Sequence, residues 1–287
     1  MASLPHFHQR SQAQVEVSAV PSVSGGCFLR GVLDASECDA LLRASEKQLE
    51  SRAKRVRLER GRTLLVPVRS RPGQHGLSSD SSAEAVEIEL KRAEGEALEK
   101  RLRDPLALLC PTSGIDGHSG EPVEPAVWDV GRAALEPLYQ RIRAHLPETL
   151  ENGWKLCGLN SHLRCYRYEQ GETSLPHFDR AYQGQESGEL SWMTLLLYLN
   201  SDFEGGWTTF FEAEAETSHW RVVARVPPET GAALCFFHGR HPGSPLHEGS
   251  AVRRGSPKYV LRTDVLFRKT ATLRGPPSPN HPNLSGS

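Results

Sequence analysis

The sequence has almost no net charge, no long apolar run and no closely spaced pair of cysteines. Its 34 basic side chains are balanced by 35 acidic ones, and the formal net charge is -1 at pH 7. This balance argues against a general binder of nucleic acid or of membrane surfaces. No apolar run reaches the roughly 18 residues of a spanning helix. We therefore expect neither nucleic acid nor membrane as a partner.

The six cysteines are scattered along the chain and form no C-x-x-C pair. Widely separated thiols in a chain of this size favour reduced, mostly buried cysteines over a disulfide framework. The first residues, Met-Ala-Ser-Leu-Pro-His-Phe-His, lack the apolar core of a signal peptide. Both observations predict an intracellular protein, either cytoplasmic or nuclear. The sequence does not indicate an oligomeric state.

Composition divides the chain into four regions. The ends are polar and rich in Pro, Ser or Gly, which favours disorder. The composition of the middle changes near residue 151, where short apolar runs typical of strands begin. The predicted regions are a disordered lead over 1–24, an N-terminal helical and strand support region with internal loops over 25–150, a core over 151–270 and a disordered tail over 271–287.

The support region contains three segments with helical character. A helix is predicted from Asp34 to about residue 50, because an acceptor side chain three residues before Glu37 marks a helix start. Residues 84–103 favour a polar helix, and residues 127–146 have the apolar spacing of another helix. The Arg-rich stretch 52–71 fits a solvated face and a loop better than a docking surface for an acidic partner.

The core region contains short runs of β-branched, aromatic and leucine residues separated by Gly, Pro, Asn and Asp. Several strands at this spacing predict a β-sandwich or barrel. The predicted strands are Leu163–Tyr168, Trp192–Leu199, Thr208–Phe211, Trp220–Val226, Ala232–Phe237 and Tyr259–Phe267.

Three candidate metal ligands lie in this region. One residue separates His177 from Asp179, and His247 follows 68 residues after Asp179. In an extended segment, residues i and i+2 point to the same side, so both side chains can reach one ion. Two histidines and one carboxylate leave three positions of an octahedron open, as non-haem Fe(II) oxygenases require for a 2-oxo acid and O2.

Other interpretations of the histidines stay open. Tetrahedral zinc with one bound water is the competing metal. A surface turn is the alternative for His177 and Asp179. A zinc site made of His238, His241 and His247 is a further alternative.

Two cations follow His247 on the last predicted strand. Lys258, Val260, Arg262 and Asp264 share one face of that strand. Two cations on one face are costly to bury unless an anion meets them, and the carboxylate of a co-substrate is such an anion. An exposed strand face, or a pairing of Arg262 with Asp264, is the alternative.

Three stretches together resemble the prolyl 4-hydroxylase-like 2-oxoglutarate and Fe(II)-dependent dioxygenases. The resemblance covers about residues 160–268, and the segment 28–50 more loosely. Its motifs are Leu163 to Gly171 with Pro176-His177-Phe178-Asp179, Trp192-Met193-Thr194 to Asn200 with Gly205-Gly206-Trp207-Thr208, and Leu246-His247-Glu248-Gly249 to Gly255-Ser256-Pro257-Lys258-Tyr259.

The resemblance implies a mainly β fold with flanking helices (α+β), in which N-terminal helices support a double-stranded β-helix or jelly-roll core. By position, the metal ligands are His177, Asp179 and His247. Lys258 matches the cation that binds the far carboxylate of 2-oxoglutarate, and Tyr168 the tyrosine that assists it. The remaining candidates are Arg262, for the near carboxylate or the substrate, and Arg180 and Tyr182, which directly follow Asp179, for the substrate pocket.

The implied cofactors are Fe(II) and the co-substrates 2-oxoglutarate and O2, with ascorbate as a further candidate. The implied activity is hydroxylation of a C–H bond, with a peptidyl proline as the closest analogy. A dioxygenase of a free amino acid or other small metabolite is the alternative within enzymes. A β-helix module that holds metal without turnover is the alternative outside them.

Overall fold

The computed structural model describes residues 7–8, 15–60, 114–115, 122–123, 125–183, 188–213 and 220–269, with the side chains of 51–60 left aside. The predicted polar helix 84–103 and the predicted tail 271–287 lie outside these ranges, as does the Arg-rich stretch beyond residue 60. Within them, no helix combines the length and the apolar character that crossing a membrane requires.

Two α-helices and two short 3-10 turns are described: α1 (Ala35–Arg60), α2 (Arg132–Ile142), Arg143–His145 and Glu151–Gly153. Helix α1 begins where the sequence predicts. The Asp34 carboxylate accepts the Glu37 N–H at 2.7 Å, and Glu37 accepts the Asp34 N–H at 3.1 Å. This reciprocal pair satisfies two backbone donors at the helix start. The helix continues to Arg60 instead of ending near residue 50.

The strands are β1 (Glu16–Ala19), β2 (Cys27–Arg30), β3 (Gly114–Ile115), β4 (Pro122–Val123), β5 (Ala126–Asp129), β6 (Thr149–Leu150), β7 (Trp154–Leu159), β8 (His162–Tyr168), β9 (Ser174–His177), β10 (Glu189–Tyr198), β11 (Phe203–Gly205), β12 (Thr208–Ala213), β13 (Trp220–Val226), β14 (Ala233–Phe237), β15 (Leu246–Gly249), β16 (Val252–Gly255) and β17 (Lys258–Lys269). The six strands predicted in the core are confirmed within a few residues at their ends.

Two antiparallel sheets build the core. The larger has the strand order β1-β2-β14-β10-β17-β7-β6, with β8 paired to β17 and β5 paired to β8. The smaller has the order β13-β12-β15-β9, and two-stranded ribbons β11-β16 and β3-β4 complete the described strands. The predicted fold class, mainly β with flanking helices around a jelly-roll core, is confirmed.

Alternating side chains on the central strands separate two cores, because successive residues of a strand point to opposite faces. On one face of β10, Leu195 and Leu197 pack in a core that also contains residues of α1 and α2. On the other face, Tyr198 belongs to a second core between the sheets, where the rings of Phe210 and Phe236 lie 5.3 Å apart. Helices therefore cover one face of the larger sheet, and the smaller sheet covers the other.

The structure differs from two expectations, one about the lead and one about the support region. The lead is not disordered throughout, since β1 pairs with β2 and Val15, Val20 and Val23 are buried. The segment 126–129 is strand β5 and not the start of a helix, because it pairs with β8 and buries alternate residues. Helix α2 begins only after Gly131, whose φ of 72° interrupts the extended chain.

The larger sheet also crosses the predicted boundary at residue 150. Strand β2, from the predicted support region, is hydrogen-bonded to β14 of the predicted core, and β5 is hydrogen-bonded to β8. The two regions therefore share one sheet, although their division along the chain stays a prediction.

A buried ion pair fastens the N-terminal segment to this frame. The Arg141 guanidinium on α2 donates to both carboxylate oxygens of Glu37 on α1, at 2.9 and 2.7 Å, with the two residues 0% and 3% exposed. Arg141 also donates to the carbonyls of Val32 and His8, and the His8 N–H donates to Glu37 at 3.0 Å. The pair thus connects two helices and an N-terminal strap.

Glu37→Gln should lower the free energy of unfolding by about 3–5 kcal/mol, because it leaves the Arg141 cation buried without its partner. Urea unfolding followed by circular dichroism measures the change. Glu229→Gln is the matched control, since its pair with Arg30 is exposed and contributes little. A loss no larger than that of the control would contradict the importance of the buried pair.

Candidate functional site

His177, Asp179 and His247 meet on the smaller sheet. His177 ends β9, and Asp179 lies two residues further along, beyond the end of the strand. His247 lies within β15, directly opposite His177 in the antiparallel register. One ligand atom from each of the three buried residues lies within 4.8 Å of the others. Within the described ranges, this is the one cluster of its kind.

Backbone carbonyls orient both imidazoles. His177 Nδ1 lies 2.7 Å from the Leu175 carbonyl, and His247 Nδ1 lies 3.3 Å from the Pro245 carbonyl. An Nδ1–H that donates to a carbonyl leaves Nε2 as the free lone pair, which is the usual arrangement of a metal-binding histidine. Burial and the neighbouring His177 lower the pKa of His247 to about 3. The His247 ring is therefore neutral, as a ligand must be.

Asp179 is a buried, ionised carboxylate. Thr194 donates its hydroxyl proton to Oδ2 at 2.5 Å, and Arg262 Nη1 lies 2.6 Å from Oδ1. Burial raises the pKa of Asp179, but Arg262 and the two imidazoles hold it well below its usual range. Oδ1 receives no well-aligned hydrogen bond within the described part of the chain. These residues fit a divalent metal such as Fe(II): two oriented imidazoles and one ionised carboxylate.

A cavity connects the three residues to Lys258. Its lining consists of Tyr166, Tyr168, Ser174, His177, Asp179, Leu196, Thr208, His247, Glu248, Gly249, Ser250, Lys258, Val260 and Arg262. The predicted strand face is confirmed, because Lys258, Val260 and Arg262 all reach this cavity.

Lys258 is a buried cation with few partners. Its ammonium donates to the Gly206 carbonyl at 2.6 Å and lies 5.6 and 5.8 Å from the ring centres of Tyr168 and Tyr198. Burial lowers the pKa of Lys258 to about 7. An anion entering the cavity would stabilise the charged form, because an opposite charge at short range favours ionisation.

The Gly205-Gly206 turn allows this contact with Lys258. Gly206 has a φ of +63°, and a Cβ on it would lie 3.0 Å from the Lys258 side chain and 2.7 Å from Phe203. Gly205 has a φ of +80°, and a Cβ there would lie 2.3 Å from the Ala251 carbonyl. Glycine tolerates this left-handed backbone and close approach where other residues do not.

The other predicted residues lie in different places. Tyr168 lines the cavity opposite Lys258 in the strand register. Arg262 also lines it, and its ion pair with the candidate ligand Asp179 was not foreseen. Arg180 and Tyr182 do not line it. After Asp179 the chain turns to pair with the start of β10, where the Ser191 N–H donates to the Tyr182 carbonyl.

The alternative zinc site of three histidines is not formed. His238 is buried and bonds to Ser191 and Thr194, while His241 stacks on Phe237 with ring centres 3.6 Å apart. The five described cysteines are free thiols, as expected, and Cys110 lies outside the described residues. Sequence reasoning missed Thr194 and Tyr166, which carry no metal-ligand signal and reach the site through their strand positions.

The family comparison agrees with this geometry. Residues 163–263 match the model of the 2OG-Fe(II) oxygenase superfamily. These residues belong to that superfamily. The enzyme class predicted from the sequence, a 2-oxoglutarate-dependent dioxygenase, is confirmed, and the superfamily implies Fe(II), 2-oxoglutarate and O2 for this oxygenase.

No curated protein matches the oxygenase in sequence. Among solved structures, it is similar to the viral collagen prolyl hydroxylase of Paramecium Bursaria Chlorella virus-1 in complex with 2OG, at 15% identity over 85% of this chain and 96% of that one, with a TM-score of 0.34. It is also similar to a prolyl-4-hydroxylase of Pseudomonas putida, at 20% identity over 63% of this chain and 87% of that one, with a TM-score of 0.35.

His177→Ala, Asp179→Ala and His247→Ala should each abolish specific Fe(II) binding, because each removes one of three ligands. Wild-type protein should show a higher Tm with Fe(II) under nitrogen, since a ligand of the native state alone stabilises it, and the variants should not. His241→Ala is the control. Loss of the Tm shift in that control, with retention in His247→Ala, would move the third ligand.

Proposed function

We propose that the oxygenase hydroxylates a C–H bond of a peptidyl residue, with prolyl 4-hydroxylation as the closest chemical analogy. The observation that carries the proposal is that one cavity joins His177, Asp179 and His247 to the buried cation Lys258. A metal-binding cluster alone fits many proteins. A buried lysine beside it supplies the counter-charge that a dicarboxylate co-substrate needs.

In this proposal, His177, Asp179 and His247 hold Fe(II). The iron, when bound, supplies the redox chemistry that couples oxidation of 2-oxoglutarate to succinate and CO2 with hydroxylation by O2. Lys258 binds the far carboxylate, and Tyr168 forms the wall beside it. Ascorbate is proposed as an auxiliary reductant of the iron.

Arg262 takes a role on the metal side of the cavity. It contacts Asp179 at 2.6 Å and Asp264 at 3.7 Å, so its charge is already shared between two carboxylates. Under this proposal Arg262 fixes the carboxylate of Asp179 and supplies positive potential near the metal, whereas Lys258 remains free to bind the co-substrate.

The peptide substrate is tested against two alternatives by one screen. Purified Fe(II)-loaded protein is supplied with 2-oxoglutarate, O2 and either a proline-rich peptide library or an extract of small metabolites, and products are read by mass spectrometry. The expected result is a gain of about 16 Da on a peptide with matching succinate release. Hydroxylation confined to the metabolite extract would establish the small-molecule dioxygenase. Metal binding without any succinate would establish a binding module.

Lys258→Ala should raise the KM for 2-oxoglutarate by about ten- to a hundred-fold, since a buried charge-assisted contact contributes roughly 1.5–3 kcal/mol. Lys258→Arg should recover part of the loss. Steady-state succinate formation measures both variants, with Arg262→Ala as the comparison. Unchanged 2-oxoglutarate binding in Lys258→Ala, with loss in Arg262→Ala, would invert the roles of the two cations.

The affinity for 2-oxoglutarate should fall as the pH rises above about 7. Burial lowers the pKa of Lys258 from its ordinary 10.5 to about 7, so free Lys258 is charged below that pH and loses its proton above it. Binding the anion at higher pH then requires uptake of one proton, which weakens affinity by up to about tenfold per pH unit.

Calorimetric titration of 2-oxoglutarate from pH 6.5 to 8.5 measures this dependence. Lys258→Arg is the matched control, because arginine stays protonated throughout the range. Any titration of the metal ligands is common to both proteins. An equal pH slope in the wild type and in Lys258→Arg would contradict the assignment to Lys258.

A further inference from the structure

A row of buried hydrogen bonds leads from Asp179 away from the cavity. Thr194, on β10, donates to Asp179 Oδ2 at 2.5 Å. His238, which directly follows β14, places Nδ1 at 2.9 Å from the Thr194 hydroxyl oxygen and Nε2 at 2.8 Å from the Ser191 hydroxyl oxygen. Thr194, Ser191 and His238 are each 0% exposed. The row therefore exchanges no hydrogen bonds with bulk water.

Counting the available protons assigns a direction to each bond in the row. The Thr194 hydroxyl has one proton, and the ionised Asp179 can only accept, so that proton goes to Asp179. The Thr194 oxygen then accepts from His238, which requires the proton of the imidazole on Nδ1. Ser191 accepts the Tyr182 N–H at 2.6 Å and donates its own proton to Nε2. Burial lowers the pKa of His238, in keeping with a neutral ring.

We propose that His238 is a positioning residue for the candidate iron ligand Asp179 and that it acts through Thr194. The inference rests on the proposed metal site. His238 does not touch the cavity. By presenting Nδ1–H to Thr194, it commits the threonine proton to Asp179 Oδ2.

The opposite tautomer of His238 would reverse this arrangement. An unprotonated Nδ1 would compete for the Thr194 proton and deprive Asp179 Oδ2 of its donor. The Ser191 hydroxyl accommodates the Nδ1–H tautomer, because it can donate its own proton to Nε2. Because linked hydrogen bonds in a low-dielectric interior polarise one another, His238 also strengthens the Thr194–Asp179 bond.

Asp179 is then held from two directions. Thr194 fixes Oδ2 on one side, and Arg262 lies against Oδ1 on the other. The plane of the carboxylate is thereby set before a metal arrives. Partners that orient a ligand in this way typically contribute about 10- to 100-fold in metal affinity.

The test measures the affinity of the full-length protein for Co(II), by equilibrium dialysis and by the visible absorption of the bound ion. Thr194→Val and His238→Leu should each weaken binding by about 10- to 100-fold. His238→Asn should recover part of the loss, because its amide N–H reaches the place of the Nδ1–H, and Thr194→Ser should bind like the wild type. A purely packing role predicts the reverse order, since leucine fills the buried space with no polar atom.

His241→Leu is the matched control, three residues along the same loop and outside the row, and its affinity should not change. The double variant Thr194→Val/His238→Leu should bind no more weakly than Thr194→Val alone, because both changes break one path. If the losses of affinity in the two single variants multiply in the double variant, the proposal is overturned. Wild-type affinity in His238→Leu would overturn it as well. Absence of Co(II) binding by the wild type would overturn the metal site together with this inference.

Discussion

The carboxylate of Asp179 is only 4% exposed, and an ionised group so far from water must be surrounded by cations and donors. This requirement organises the neighbouring strands. Arg262 supplies the charge, and Asp264 lies 3.7 Å behind it. Asp264 is in turn bonded by Asn160 at 2.9 Å and by Arg164 at 3.0 Å. A network of alternating charge thus runs from the site into the larger sheet.

Lys258 is also a buried charged group, but unlike Asp179 it is not surrounded by groups of opposite charge. No carboxylate neutralises it within the described residues; a carbonyl and two aromatic rings meet its ammonium. A cation left in this condition keeps a low pKa and an unmet preference for an anion. The two cations on one strand face are therefore unequal, since carboxylates of the protein already pair with the charge of Arg262, whereas the charge of Lys258 would be paired by an anion that enters the cavity.

The sequence predicted those parts of the site that depend on strand periodicity. Lys258, Val260 and Arg262 reach one cavity because a strand alternates its faces, and His177 and Asp179 converge by the same geometry. Arg180 and Tyr182 do not line the cavity, because the chain after Asp179 turns to pair with the start of β10, and their place in a substrate pocket stays a prediction. The contacts of His238 could not be predicted from the sequence either, because Thr194 and Ser191 are brought to it only by the pairing of β10 with β14.

Local patterns also failed where tertiary pairing decided the outcome. The apolar spacing over 127–146 fits a helix, yet β5 takes its first residues because β8 offers an open edge. The segment 16–19 is exposed along its whole length, and it becomes a strand because β2 lies beside it. Such segments carry no signal of their own, since their order is contributed by a neighbour distant in sequence.

The pairing of His177 with His247 has a mechanical consequence. Strand β9 is an edge strand of the smaller sheet. An edge strand has backbone hydrogen bonds to a neighbour on one side only. An ion bound by opposed residues of β9 and β15 would cross-link these two strands at the edge of the sheet. Without the ion, β9 would separate from β15 more often. Backbone amides of β9 would therefore exchange with solvent faster in the metal-free protein than in the metal-bound protein.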